Sequence, residues 1–159
     1  MVHLVVTKDS ELKHLPVFYS VSAHVGQRGA ANKPEDVSFV QGYFVFMSRH
    51  TQRIDAKLAW SAVKVTGAMD DATHQAILVF QKRLYDIRWA PWPDGRISPA
   101  PSARYGRYWY TIGALSVAVR KYAQTTWPRI DKLNVAGAQK LFDDIVVREL
   151  TGVKNEASE

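Results

Sequence analysis

A run of aromatic and arginine side chains between residues 88 and 110 is the part of the sequence best suited to binding chemistry. Aromatic faces stack on sugar rings, bases or peptide side chains, and the arginine fork holds carboxylates or phosphates. Interspersed prolines and glycines predict that the run lies in a long irregular loop. The members of the run are Arg88, Trp89, Trp92, Arg96, Arg104, Tyr105, Arg107, Tyr108, Trp109 and Tyr110.

Part of this run forms our candidate ligand-binding set. The set consists of Trp89, Trp92, Arg96, Arg104, Tyr105, Arg107 and Trp109. A structural alternative exists for each tryptophan, because a large aromatic ring can pin a long loop to the body of the protein. The hypothesis is that the exposed members of the set form a face for a ligand or a partner.

The sequence offers little support for catalysis. Asp70, Asp71, Asp86 and Asp94 could supply a pair of glycosidase carboxylates. Helix capping and turn formation explain Asp70, Asp71 and Asp94 without chemistry. The histidines are scattered without metal-ligand spacing, there is no cysteine, and no Gly-x-Ser-x-Gly elbow occurs. We therefore expect no catalytic residue, no metal site and no cofactor. The histidines are His3, His14, His24, His50 and His74.

Length and charge limit the remaining classes. A chain of 159 residues suits one domain with terminal additions, and a net charge of +6 favours anionic partners. Because no block of consecutive basic residues occurs, nucleic acid is not the partner we expect. The first fifteen residues lack a basic leader followed by an apolar run, so no signal peptide is visible, and no membrane span is expected. This favours a cytoplasmic protein or one exported by a signal-independent route.

The elements that must position the binding run are mainly helices. His3–Thr7 and Val17–Val25 predict two strands that pair as a ribbon across the intervening link. A first helix is predicted to begin with Asn32 as its cap and Pro34 in its first turn. A second begins at a cap provided by Asp70 or Asp71, after the turn at Gly67.

Further helices are predicted on the carboxyl side of the binding run. One begins near Tyr110 or Thr111, and the last runs from about Asn134 to Leu150. The divisions expected are an amino-terminal β extension (1–29), a helical domain (30–124), a carboxyl-terminal helix packed on that domain (125–152) and a flexible tail (153–159).

An internal echo links the first two helices to the loops near them. Both helical patterns contain an apolar residue followed by glutamine, at Gln41 and at Gln81. Glycine turns accompany them at Gly67 and Gly95, so two loop-plus-helix units are implied.

Taken together, the segments NKPEDVSFVQ, VTGAMDDATHQAILVFQKRL and PDGRISP resemble the peptidoglycan-binding-like domain family over about Ala30 to Leu115. The resemblance implies a mainly α fold, with a three-helix core to which this chain adds amino-terminal strands and a carboxyl-terminal helix. The residues that carry the family motif, with mainly structural roles, are Gly67, Asp70, Thr73, Phe80, Gln81, Asp94 and Gly95. Two positions depart from the pattern: Thr66 replaces an aspartate, and Asp70 replaces a glycine.

The resemblance implies a non-catalytic module that recognises the glycan or peptide of the bacterial cell wall. An alternative is a protein-interaction role on the same scaffold, as an adaptor, an inhibitor or an immunity-like partner in a bacterial secretion or phage system. The absence of a visible signal peptide favours the alternative, because a wall ligand requires access to the periplasm. Expected partners are therefore peptidoglycan or a bacterial protein.

Overall fold

The computed structural model describes residues 1–8, 12, 14–26 and 29–151. The fold is α-dominated with small antiparallel β ribbons, at 47% helix and 11% strand, as the sequence predicts. The helices of the described residues are α1 (Pro34–Ser48), α2 (Ile54–Ser61), α3 (Asp71–Asp86), α4 (Thr111–Tyr122) and α5 (Gln139–Val146). The strands pair β1 (His3–Val6) with β2 (Val17–Ser20), β3 (Val25–Gly26) with β4 (Arg96–Ile97), and β5 (Arg104–Tyr105) with β6 (Tyr108–Trp109).

Helix α1 lies at the centre of the core and is buried on several sides. On one side Phe39 and Tyr43 contact the ring of Phe142 from α5. On another, Phe44 contacts Trp60 of α2 and Phe80 of α3. Aromatic rings bury large areas and favour tilted and edge-on contacts, so these two clusters join the helices around α1.

The start of α1 differs from the prediction. Lys33, not Asn32, occupies the N-cap position, and no side-chain hydrogen bond caps the helix. Asn32 instead has a left-handed φ of 48° and bonds the backbone of Gly26 in both directions, at 2.9 and 3.1 Å. Asparagine adopts this conformation more readily than most residues, so it serves the turn that leads into α1. The predicted cap at Asn32 is therefore wrong.

Helices α3 and α4 begin where the sequence predicts. Asp70 caps α3 and accepts a hydrogen bond from the Thr73 amide at 2.8 Å. Helix α4 begins at Thr111. Helix α2 carries its apolar Ile54 and Leu58 on the solvent side. This outward placement removes the pattern by which a buried helix is recognised.

The last helix is shorter than predicted. Helix α5 begins at Gln139, because Asn134 and Gly137 have left-handed φ angles of 56° and 86° that an α-helix cannot contain. A single π-helical turn, Val147–Thr151, follows it. The predicted flexible tail, 153–159, lies outside the described residues.

The predicted amino-terminal ribbon is present as the antiparallel pair β1–β2, with Leu4 opposite Tyr19. Its second strand ends at Ser20, before the predicted Val25, which pairs with β4 instead. The outer edge of β1 is covered by side chains from distant elements. The Val2 amide donates to Glu35 at 2.8 Å and the Leu4 amide to Glu149 at 2.7 Å. Arg148 bonds both the Val2 carbonyl and Glu35. Within the described part of the chain, no helix has the length and apolarity that a membrane crossing requires.

Candidate aromatic binding cleft

The side chain of Gln81 holds the loop that carries the binding residues. Gln81 lies on α3 and is 2% exposed. Its Oε1 accepts a hydrogen bond from the Gly95 amide at 2.7 Å. Its Nε2 lies 2.7 Å from the Arg96 carbonyl, 2.9 Å from Asp94 Oδ1 and 3.1 Å from Thr111 Oγ1. One buried amide thus fixes α3, the loop and the start of α4 relative to one another.

The loop itself has a sharp turn at Gly95, whose φ is 76°. Glycine adopts this angle without the steric cost that a Cβ brings. Beside it, Asp94 Oδ1 accepts the Arg96 amide at 2.9 Å, a local side-chain bond that stabilises the turn. Strand β4 follows at once and pairs with β3, so the turn is held from both sides.

A cleft of about 240 Å³ opens beside this turn. The aromatic residues that line it range from Trp109, at 7% exposed, to Tyr105 and Trp92, at 44% and 67%. Its charged lining residues are Asp94 and Arg96. The complete lining is Gln81, Ala90, Pro91, Trp92, Asp94, Arg96, Ser98, Tyr105, Trp109, Tyr110 and Thr111.

The back of the cleft is rigid because two tryptophans stack. The rings of Trp89 and Trp109 lie 4.5 Å apart at an interplanar angle of 13°. The Trp109 amide donates to the Trp89 carbonyl at 2.8 Å. The Arg104 guanidinium lies 5.8 Å from the Trp109 ring centroid, within cation–π range. For Trp89 and Trp109 the loop-pinning role is thus present, whereas Trp92 is exposed.

Tyr105 brings a phenol to the mouth of the cleft. Its ring lies 4.8 Å from that of Tyr110. Partial burial raises the pKa of Tyr105 above its usual value, and the nearby Asp94 carboxylate raises it further. At neutral pH the phenol is therefore protonated and can both donate and accept hydrogen bonds.

The structure gathers most, but not all, of the predicted ligand-binding set. Trp92, Arg96, Tyr105 and Trp109 line the cleft, with Trp89 and Arg104 packed against Trp109. Arg107 is directed elsewhere. Its Nη2 donates to the Tyr108 hydroxyl at 2.8 Å. With Arg88 and Tyr85 it lines a neighbouring hollow of about 690 Å³, which shares only Ala90 and Pro91 with the cleft.

The glycine turn at Gly67 builds a second, similar arrangement around Gln41 of α1. Gln41 Oε1 accepts the amides of Thr66 and Gly67 at 2.9 and 3.0 Å. Its Nε2 lies 3.0 Å from the Ala68 carbonyl, 3.0 Å from Thr73 Oγ1 and 3.3 Å from Thr66 Oγ1. Phe80, by contrast, is a core residue, packed against α1 and α2.

Sequence reasoning missed the role of Gln41. The echo of Gln41 and Gln81 pointed to two similar units, but not to which loop each glutamine binds. Thr111 and Tyr110 were read as the start of a helix, and their position in the cleft follows from the hydrogen bond between Gln81 and Thr111.

The groups exposed in the cleft are suited to stacking, ion pairing and hydrogen bonding. Exposed rings offer stacking faces, Arg96 offers a cation, and Asp94 has a second carboxylate oxygen beyond the one used in the turn. Among the described residues, no cluster of three or more His, Asp or Glu side chains could hold a metal ion. Comparison with family models, with curated proteins and with solved structures gives no match.

Proposed function

We propose that this protein is a non-catalytic binding module of the peptidoglycan-binding-like type, which recognises the glycan and peptide of the bacterial cell wall. The observation that carries the proposal is the aromatic cleft beside Gly95. The repeated glutamine–loop arrangement supports a scaffold of this type. Gln41 and Gln81 each bind a glycine turn and a threonine near the start of the next helix. In this proposal α1, α3 and α4 are the three-helix core.

The departure at Thr66 is compatible with that core. The Thr66 hydroxyl accepts a hydrogen bond from the Ala68 amide at 3.2 Å and lies 3.3 Å from Gln41 Nε2. In the second loop, Asp94 Oδ1 makes the equivalent contacts, with the Arg96 amide and with Gln81 Nε2. A hydroxyl oxygen has the acceptor lone pairs that these two bonds require. The loss of the carboxylate therefore changes the charge of the first loop and keeps its hydrogen bonds.

The proposed ligand fits the chemistry of the cleft. Sugar rings present flat C–H faces that stack on exposed aromatic rings such as Trp92 and Tyr105. Wall peptides carry carboxylates, which Arg96 can hold by a charge-assisted hydrogen bond. Ring hydroxyls and amide N–H groups can donate to the second oxygen of Asp94.

The test is binding to purified, insoluble peptidoglycan at low and at physiological salt, followed by calorimetric titration with soluble wall fragments. We expect retention that survives physiological salt and falls about tenfold for Trp92→Ala and for Arg96→Gln, the loss of one stacking or charged contact. Tyr85→Ala is the matched control, since Tyr85 is an exposed aromatic outside the cleft.

Three results would overturn the proposal. One is the absence of retention at either salt. Another is retention that is lost at physiological salt, because it would indicate only non-specific electrostatic binding of a basic protein to an anionic polymer. The third is equal binding by the Trp92→Ala variant and the Tyr85→Ala control.

A further inference from the structure

A second concave surface, here called the α3–α4 groove, lies on the other side of the stacked tryptophans. Its volume is about 520 Å³, and Trp89 lines it while Trp109 lines the aromatic cleft. The stacked pair therefore separates two surfaces that share no lining residue. Nothing in the proposed wall-binding function uses the α3–α4 groove.

The floor of the groove is apolar. It is lined by side chains from α1, α2 and α3, each nearly or fully buried: Met47, Trp60, Phe80 and Leu84. Partly exposed apolar side chains continue this surface towards solvent, including Ile87 at 46% exposed. Contiguous exposed apolar surface of this kind is a common mark of an interaction site.

Two helix faces form the walls. Helix α3 contributes Phe80 and Leu84, followed by Ile87 just after the end of the helix, and helix α4 contributes Ala114 and Ala118 among others. These positions recur at intervals of three and four residues, so each wall is a continuous stripe along its helix.

The rim of the groove is basic. Arg53 precedes α2, Arg83 lies on α3 and Lys121 lies on α4, and the groove lining contains no Asp or Glu. Arg53 pairs with Asp55 at 3.6 Å at an exposed position. Within the described residues, neither Arg83 nor Lys121 forms an ion pair. The cations stand around an apolar floor on three separate elements.

We propose that the α3–α4 groove binds an acidic amphipathic helix of a partner protein. An apolar stripe on such a helix fills the floor, and acidic residues along both flanks of the stripe meet Arg83, Lys121 and Arg53. A single anionic headgroup, as on a fatty acid or a lipid, pairs with one point on the rim. Cations distributed over three elements therefore match a helix with charges on both flanks.

The probe is a fluorescent synthetic helix of about 18 residues, long enough to span the groove, with leucine at positions i, i+3, i+4 and i+7 and glutamate on the flanks. A scrambled peptide of the same composition and a lysine-flanked version are the comparison ligands. The measurement is fluorescence anisotropy with the full chain. We expect the ordered acidic helix to bind with a Kd of about 10–100 μM, and the scrambled peptide at least about tenfold more weakly.

Two variants identify the surface. Ala118→Trp fills the groove from a half-buried position, and we expect it to weaken binding about tenfold or more. Arg83→Glu combined with Lys121→Glu reverses the rim charge, and this double variant is expected to lose the acidic helix and gain the lysine-flanked one. Arg107→Glu, a charge reversal outside the groove, is the matched control. Circular dichroism melting shows that each variant is folded.

The exchange of ligand preference by the charge-reversed variant supports the proposal even if Ala118→Trp fails to fold. The proposal is overturned if the acidic helix does not bind at about 1 mM, if the scrambled peptide binds equally, or if the charge-reversed variant and the Arg107→Glu control behave alike. It is also overturned if vesicles of anionic phosphatidylglycerol sediment the protein through the groove while the helical peptide does not compete. That result would assign the groove to a lipid surface.

Discussion

The loop held by Gln41 and the loop held by Gln81 share one hydrogen-bond plan in two different surroundings. In each, the glutamine Oε1 accepts a loop glycine amide, and Nε2 reaches a loop carbonyl and a threonine hydroxyl. The two glycines have nearly the same φ, 80° at Gly67 and 76° at Gly95. The plan therefore belongs to the scaffold and does not by itself create a binding surface.

The surroundings decide which loop can bind. The first loop lies against α1, where Gly67 faces Ser38 and Pro34. The second is joined to β3 from the far side and leaves its outer face to the aromatic cleft. It also carries Asp94 and Arg96 where the first carries Thr66 and Ala68, so the two residues that flank the turn glycine are charged only in the second loop. The comparison separates what folds the protein from what equips it to bind.

The largest effect is expected from Gly26→Ala, whose added Cβ meets the second loop and not the first. A Cβ at Gly26 would lie well inside van der Waals contact with the Gly95 carbonyl, and Gly26 has a φ of 150°. We expect the free energy of unfolding to fall by about 3 kcal/mol or more, since overpacking and an unfavourable φ add. Urea denaturation measures it. A loss below about 1 kcal/mol would show that the close approach of β3 does not hold this loop.

Next comes the difference between the two glutamines. Gln81→Ala is expected to cost about 3 kcal/mol and Gln41→Ala about 2 kcal/mol, because the Gly95 amide is buried while Thr66 is exposed and its amide can find water. Urea denaturation of both variants tests the order. Only Gln81→Ala should also weaken binding at the cleft. A larger loss for Gln41→Ala than for Gln81→Ala would contradict the greater importance of the buried Gly95 amide.

A smaller effect isolates the contact between the first loop and α1. Gly67→Ala and Gly106→Ala both place a Cβ at a left-handed φ, 80° and 64°. Only the Cβ at Gly67 meets a neighbour, Ser38 Oγ at 3.1 Å, while the Cβ at Gly106 meets nothing. We expect losses of about 2 and about 1 kcal/mol in thermal or urea unfolding. Equal losses of unfolding free energy in the two variants would show that the contact between Gly67 and α1 does not contribute to the effect.

The smallest effect is expected from Thr66→Asp, which gives the first loop the acid of the second. An aspartate oxygen can accept the same Ala68 and Gln41 bonds and loses only the exposed donation from the Thr66 hydroxyl to the Ala68 carbonyl, so stability should fall by only about 0.5 kcal/mol. Thr66→Val, of similar shape but without an acceptor, should cost about 1 kcal/mol. If the aspartate variant is as unstable as the valine variant, the two loops are not interchangeable.

The sequence predicts elements whose signals are local. Asp70 precedes a helix with an apolar face, and that cap and helix are where the sequence places them. The ribbon of β1 and β2 follows from two β-branched and aromatic segments joined by a short link. The glycine turns at Gly67 and Gly95 are likewise readable, because glycine between polar residues favours a turn.

Other features depend on contacts that no local pattern contains. The side-chain amide of Asn32 forms hydrogen bonds with the backbone of Gly26. The residue that the sequence predicts as a helix cap is therefore part of a turn. Helix α2 carries Ile54 and Leu58 towards solvent and so lacks the usual pattern. For the candidate site, the sequence predicts the residue types. It does not predict that Arg107 lies outside the cleft, because this position depends on the hydrogen bond between Arg107 and the Tyr108 hydroxyl.

The carboxylates on the outer edge of β1 affect whether a strand of another chain can pair with the ribbon. An exposed strand edge with free amides is a template on which a foreign strand can add. Here the amides of Val2 and Leu4 already donate to Glu35 and Glu149, and Arg148 covers the Val2 carbonyl. An incoming strand would have to displace two carboxylates and a guanidinium before forming its first hydrogen bonds with this edge. The ribbon is thereby protected from edge-to-edge aggregation.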